Sequence, residues 1–296
     1  MGKPIETYDT RFVTLIDVDQ APLLLHNDSA FTEGPVWFAD LQCLLWSDIP
    51  NNVLRRWTPD GQVSLFRANS RNTNGNTRDR QGRLVSAEHS GRRISRTEAD
   101  GSITVIADRF EGKKLNSPND VVVKSDGSVW FTDPAYGLPP GAVREQRHDN
   151  VYRVDPISGT ITAVASDFQK PNGLAFTPDE QFLFVADSAV SHDPNGNSHI
   201  RRFRVNADST LSGGEVFVTT DGIPDGFRFD TMGNLWTSAG AGVNVYAADA
   251  TWLGRIHLPA DVTNLTFGGA DKDHVFITGS SFLYSVRVKA RGAQWP

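Results

Sequence analysis

Cysteine is nearly absent from this 296-residue chain, occurring once, at Cys43 in LQCLLWSD. A single thiol forms no intramolecular disulfide and supports no cysteine-rich zinc site. Its apolar neighbours mark it as a small core residue. Long hydrophobic runs are missing as well. No stretch approaches the ~20 apolar residues of a membrane-spanning helix, and the opening MGKPIETYDTRF has no apolar segment of the secretory kind. Positive charge is not in excess: 29 Lys and Arg face 35 Asp and Glu, for a formal charge of −6. That balance argues against nucleic acid or an anionic membrane surface as partners. Helical periodicity is lacking throughout. The expectation is a soluble monomer or dimer of a reducing compartment, the cytoplasm, or of the periplasm if a leader has been removed.

What the chain does have is 26 Gly, 16 Pro, 7 Trp and 17 Phe, a balance that favours short strands and tight turns. It also repeats. Six short apolar segments end in small polar residues: CLLWSD, GRLVSAE, GSVWFTD, QFLFVAD, GNLWTSA and HVFITGS. Their centres, Trp46, Val85, Trp130, Phe184, Trp236 and Phe276, lie 39, 45, 54, 52 and 40 positions apart. Upstream of each stands a polar corner and a short strand. Downstream come hairpins such as NVLRRWTPDGQVSLF and NVYRVDPISGTITAV. Four strands per unit and six units predict an all-β fold, a six-bladed β-propeller with a central metal site. No linker of biased composition interrupts the chain, so residues 1–296 are read as one domain, with 1–28 supplying an outer strand to the last blade.

The corners carry oxygen. Glu33, Asn119, Asn172 and Asp225 occupy the entry to the inner strand in four units, and Asn74 and Asn264 in the other two. In a propeller these positions converge on the axis. Glu, Asn, Asn and Asp, with no imidazole or thiolate, suit a hard dication. Taken singly, Pro-Asn and Asp-Gly are ordinary turn pairs. The residues leave turn and cation ligand both open, and recurrence at nearly equal phase weighs toward the ligand.

EGPVWF, LNSPNDVVVKSDGSVWFTDPAYGL, PNGLAF and DGFRFDTMGNLW stand in the order of the gluconolactonase / senescence marker protein-30 / luciferin-regenerating-enzyme family. The chain resembles that family over nearly its whole length. TNGNTRDRQGRLVSAEHSGRRISR is similar to the second-blade segment of its microbial gluconolactonase branch. The resemblance implies one Ca²⁺-type metal, with Mg²⁺, Mn²⁺ or Zn²⁺ as alternatives, and a small-molecule sugar lactone as substrate. It places metal ligands at Glu33, Asn172 and Asp225, and a metal or substrate ligand at Asn119. Where the animal branch carries an Arg, this chain has Ser117.

Opening a cyclic ester requires an electrophile at the carbonyl and an activated water. Asp225 is the expected base beside the metal, with Asn119 also counted among the catalytic residues. His89, in AEHSGRR, is a lesser candidate for acid, base or sugar contact. Asn74, His89, Asp120 and Tyr136 are the expected substrate-side residues, with Asp120 orienting Asn119. Arg92 and Arg93 read as solvated strand residues. His148, His192, His199, His257 and His274 read as loop or surface residues, and VSHDPNGNSH (190–199) as a long loop near the channel mouth. Competing readings are hydrolysis of other lactones or organophosphate esters, and a non-catalytic metal-stabilised binding propeller.

Overall fold

A computed structural model describes residues 3–295. Six antiparallel sheets form the blades of a ring. Their innermost strands, in chain order, are Thr32–Phe38, Thr73–Arg78, Val121–Val123, Pro171–Phe176, Phe227–Phe229 and Asn264–Gly268. Each is followed by three strands running outward, except in the last two blades. There Leu23–His26 pairs with Phe282–Arg287 to complete the sixth sheet. Ile5–Thr7 pairs with Trp252–His257 and gives the fifth sheet an extra strand, an addition that short IET does not advertise. No helix among the described residues is long and apolar enough to cross a membrane.

The repeated apolar segments are the second strands, and all six centres are buried, with Trp46, Trp130 and Trp236 at 0% exposure. Aromatic pairs bridge neighbouring blades: Trp37 stacks on Phe276 at 5.5 Å, Trp130 meets Phe176 edge-on at 5.4 Å and Phe184 meets Phe229 at 5.0 Å. Each such contact contributes about 0.5–1.5 kcal/mol beyond area burial, so the blades are held face to face by side chains rather than by shared strands. The acid closing three of the second strands ties down the chain entering the same blade. Asp48 accepts from the Ala30 N–H at 3.0 Å, Asp133 from Asn116 at 2.8 Å and Asp187 from Lys170 at 2.8 Å.

The inner strands are irregular at their entry. Pairing slips between Glu33 and Val36, between Thr73 and Asn76 and between Pro171 and Leu174. These β-bulges re-aim the corner side chains. They also bring neighbouring blades into backbone contact. A Cβ on Gly34, which sits at φ +52°, would lie 2.1 Å from the Asn74 carbonyl oxygen, and one on Gly173 would lie 2.0 Å from that of Asp225. Only glycine permits so close an approach.

Candidate active site

Glu33, Asn119 and Asn172 are buried at the hub end where the inner strands begin, and Asp225 is partly buried beside them. Glu33 accepts the Gly34 N–H at 2.7 Å and the Asn264 side-chain amide at 3.0 Å. Asn264 thus steadies the acid from the neighbouring blade, a role not visible from its own corner. The Asp225 N–H donates to Ser238 Oγ at 2.8 Å. Burial, then the charge of Asp120, push the Glu33 carboxyl up to about 7. Asp225 is driven well above the usual carboxylate range by burial first, then by Glu33 and Asp120, against a lowering contact from Asn172. Three acids crowd one end of the channel, and none has a Lys, Arg or His in ion-pair contact among the described residues. The Asn172 Oδ1 and Asp120 Oδ2 atoms are buried without a partner.

A second group adjoins the first. Asn119 donates from Nδ2 to the Tyr136 hydroxyl at 2.6 Å. Burial raises Tyr136 well above its ordinary value, so it stays a neutral hydroxyl with a proton to give. His89 lies edge-on to that ring at 6.4 Å, and His192 stacks on it at 5.1 Å and 20°. Asn74 Nδ2 and His89 Nε2 are 3.2 Å apart. With the amide as donor, His89 carries its proton on Nδ1. Burial lowers His89 to about 4, so the ring is neutral near pH 7.

The structure therefore brings together all eight side chains named from the sequence or grouped with them at the corners: Glu33, Asn74, His89, Asn119, Asp120, Tyr136, Asn172 and Asp225. It also corrects several expectations. Asp120 does not orient Asn119: its Oδ1 accepts the Val121 N–H at 2.8 Å, and its other oxygen shares the field of Glu33 and Asp225. His192 is an exposed turn residue, as expected, and the 3-10 turn Ala189–Ser191 also stacks it on Tyr136. Arg92 is not a solvated strand residue but a turn residue at φ +50°, donating to the Leu115 carbonyl at 2.7 Å. Arg93 is paired with Glu88 at 2.6 Å. Ser117, found where the animal branch has an Arg, is fully buried. It accepts the Gly137 N–H at 3.0 Å and so anchors the loop that carries Tyr136.

No three His, Cys, Asp or Glu side chains are placed as joint metal ligands among the described residues. A cage here would draw half its side-chain oxygens from amides. The donor chemistry fits a hard dication. Two acids raised by burial and by neighbouring acids would gain from a double positive charge, and the orphaned Asn172 Oδ1 would gain a partner. Neutral Tyr136 and His89 add no competing charge.

A family model for the SMP-30/Gluconolactonase/LRE-like region matches residues 31–281. A gluconolactonase of Zymomonas mobilis is 32% identical over 99% of this chain and 88% of its own. A pentonolactonase of Haloferax volcanii is 32% identical over 83% of this chain and 80% of its own. The solved structure of a Xanthomonas campestris gluconolactonase superposes with a TM-score of 0.89 at 37% identity, covering 96% of this chain and 94% of that one. With this much of both chains shared, the protein belongs to the SMP-30/gluconolactonase/LRE-like family.

Proposed function

We propose that this chain hydrolyses a sugar lactone to the aldonic acid, using a hard dication, Ca²⁺ before Mg²⁺, Mn²⁺ or Zn²⁺, held by Glu33, Asn119, Asn172 and Asp225. One observation carries the reading. Two acids whose protonation is pushed upward by burial and by neighbouring acids sit with two amides at the hub, with no protein cation in ion-pair contact among the described residues. The names of the relatives, gluconolactonase and pentonolactonase, support the substrate class.

When bound, the dication supplies Lewis-acid polarisation of the lactone carbonyl. The rest falls to the chain. Asp225, fixed through its backbone by Ser238, accepts a proton from the attacking water. The water oxygen bonds to the carbonyl carbon, the ring C–O bond breaks, and the ring oxygen takes the proton back from Asp225 to leave as a hydroxyl. Tyr136, its oxygen already accepting from Asn119, has its O–H free to donate to a substrate oxygen. His89 stays neutral at working pH, held by Asn74. It serves as a hydrogen-bonding wall for the sugar rather than as an acid. His192 closes that wall from the far side of Tyr136.

The test is δ-gluconolactone opening followed in a pH-stat, with circular dichroism on the same samples. Activity is expected to vanish with chelator while the β-sheet spectrum persists, and to return with Ca²⁺. Asp225→Asn, loaded with metal, is expected to lose at least about a hundredfold in kcat. Full turnover in chelated protein removes the metal from the mechanism, and full turnover in metal-loaded Asp225→Asn removes the base.

A further inference from the structure

A cavity of about 400 Å³ opens not at the hub acids but at the opposite mouth of the channel, walled in part by Trp37, Phe229, Arg78, Arg228, Lys272 and Gln294. Its character is reversed. Four cations, Arg78, Arg80, Arg228 and Lys272, outnumber the acids Asp179 and Glu180 in its wall, and the cations are unequally partnered. Arg78 pairs with Asp40 at 2.8 Å, and Arg80 with Glu180 at 3.1 Å. Arg228 and Lys272 have no carboxylate in ion-pair contact among the described residues. Arg228 is only 5% exposed, and the one acceptor its guanidinium meets is the Phe227 carbonyl, from Nη1 at 2.7 Å. Lys272 Nζ donates to the Gln294 carbonyl and lies 5.3 Å from the centre of the Trp295 ring. A guanidinium donates up to five hydrogen bonds. Arg228 feels the charges of Glu33 and Asp120 along the channel, but no carboxylate oxygen among the described residues reaches its donors. Arg228 is a 95%-buried donor lining an accessible cavity with most of its donors uncommitted.

The same cavity offers the opposite polarity for hydroxyl groups. Gln294 Oε1 is buried without a partner, while its Nε2 is committed to Thr266 Oγ1 at 2.9 Å. Trp37, Phe176 and Phe229 are among its apolar lining, a surface that suits the C–H groups of a polyol. A carboxylate drawn to the cations Arg228 and Lys272, a hydroxyl at Gln294 and a carbon chain along the apolar lining describe one ligand.

We propose that this mouth is a second binding site for a small hydroxycarboxylate, with Arg228 and Lys272 as its cationic anchors and Gln294 taking a hydroxyl. Aldonates, the products of the reaction proposed above, are of this class. The site's chemistry stands without that reading, which bears only on where such a ligand would come from. Inorganic phosphate satisfies the cations but not the acceptor and the apolar wall, and a neutral polyol does the reverse.

Equilibrium dialysis of D-gluconate against the full chain in chelator separates the two ends, because chelation strips any dication from the hub. One gluconate per chain is expected, with a change in tryptophan fluorescence from Trp37 and Trp295. Arg228→Met and Lys272→Met are each expected to weaken binding at least about tenfold, in line with loss of a charged hydrogen bond. Gln294→Leu is expected to weaken gluconate by a few-fold and to leave phosphate unchanged. Absence of saturable gluconate binding overturns the proposal. So does binding that survives both cation variants, or phosphate binding as tight as gluconate. Lactone turnover is read in separate, metal-loaded samples, so failure of the lactonase reading and failure of this site are distinct results.

Discussion

Glu33 and Asp48 are buried acids of the same blade, and the protein treats them in opposite ways. Asp48 accepts from the N–H groups of Ala30 and Phe31, from Asn51 at 2.9 Å and from Arg55 at 2.8 Å. Burial pushes its carboxyl up, but these partners outweigh burial and hold it below its ordinary value. Glu33, on the paired strand, meets one backbone N–H and one amide, and faces the charge of Asp120, with the charge of Arg228 a smaller offset. The fold therefore has the means to satisfy a buried carboxylate at low cost in one place and leaves another acid under-compensated. The first kind ties its own blade together. The second stores an electrostatic demand that a bound cation would meet.

The contrast breaks most clearly at Glu33→Gln. Removing this charge is expected to lower lactone turnover by at least about a hundredfold. The same change relieves repulsion at the hub, so the metal-free melting temperature should hold or rise, and the calcium-induced rise should disappear. Thermal scans with and without Ca²⁺ read both. A fall in metal-free stability would place Glu33 with Asp48 as a structural acid.

Asp48→Ala is the mirror experiment. It strands Arg55 and two backbone donors, at a cost of about 3 kcal/mol in denaturant unfolding. Turnover per folded molecule should stay within about twofold. A specific loss of turnover in fully folded protein would blur the distinction.

Asp133 lies between the two kinds. One oxygen accepts from Asn116, the other is unpartnered, as are the side-chain oxygens of Asn116 and Asn150. Burial, opposed by the Asn116 N–H, leaves its pKa at about 8. The folded value lies above the unfolded value of ~3.9, so the native state holds the extra proton. The contribution of this group to stability is full below the unfolded value and is lost as pH rises through 8. Asp133→Asn resembles the protonated acid. It should cost little at pH 6 and raise the melting temperature at pH 9 by about 4 °C, for ~1–2 kcal/mol. A melting difference that does not depend on pH would show Asp133 to be ionised and compensated, as Asp48 is.

The smallest effect belongs to Tyr136→Phe. Loss of one neutral hydroxyl should raise KM for gluconolactone by about tenfold with the melting temperature nearly unchanged. An unchanged KM would return Tyr136 to a packing role.

The architecture was legible because each blade solves the same packing problem, so Trp46, Trp130 and Trp236 recur in phase and are all fully buried. The hub was legible for a related reason: corner residues keep one position relative to those tryptophans. What escaped the sequence depends on contacts between blades or on turns. Asn264 reads as a sixth corner, yet its partner is Glu33 across the ring closure. Arg228 looks like an ordinary strand residue in DGFRFD, yet it is buried in the channel wall. His192 sits in a polar loop whose composition says nothing of the ring it stacks on. Arg92 reads as strand until its positive φ places it in a turn under the 115–116 carbonyls.

The sixth sheet joins Leu23–His26 to Phe282–Arg287, residues more than 250 positions apart. On a ribosome this clasp stays unfastened until almost every other blade has been made. Throughout synthesis the nascent protein is an open arc, with one blade's edge bare to neighbouring chains and its six corners not yet gathered round an axis. A chaperone or a crowding partner would meet that arc, and the hub becomes whole in the same event that ends its exposure.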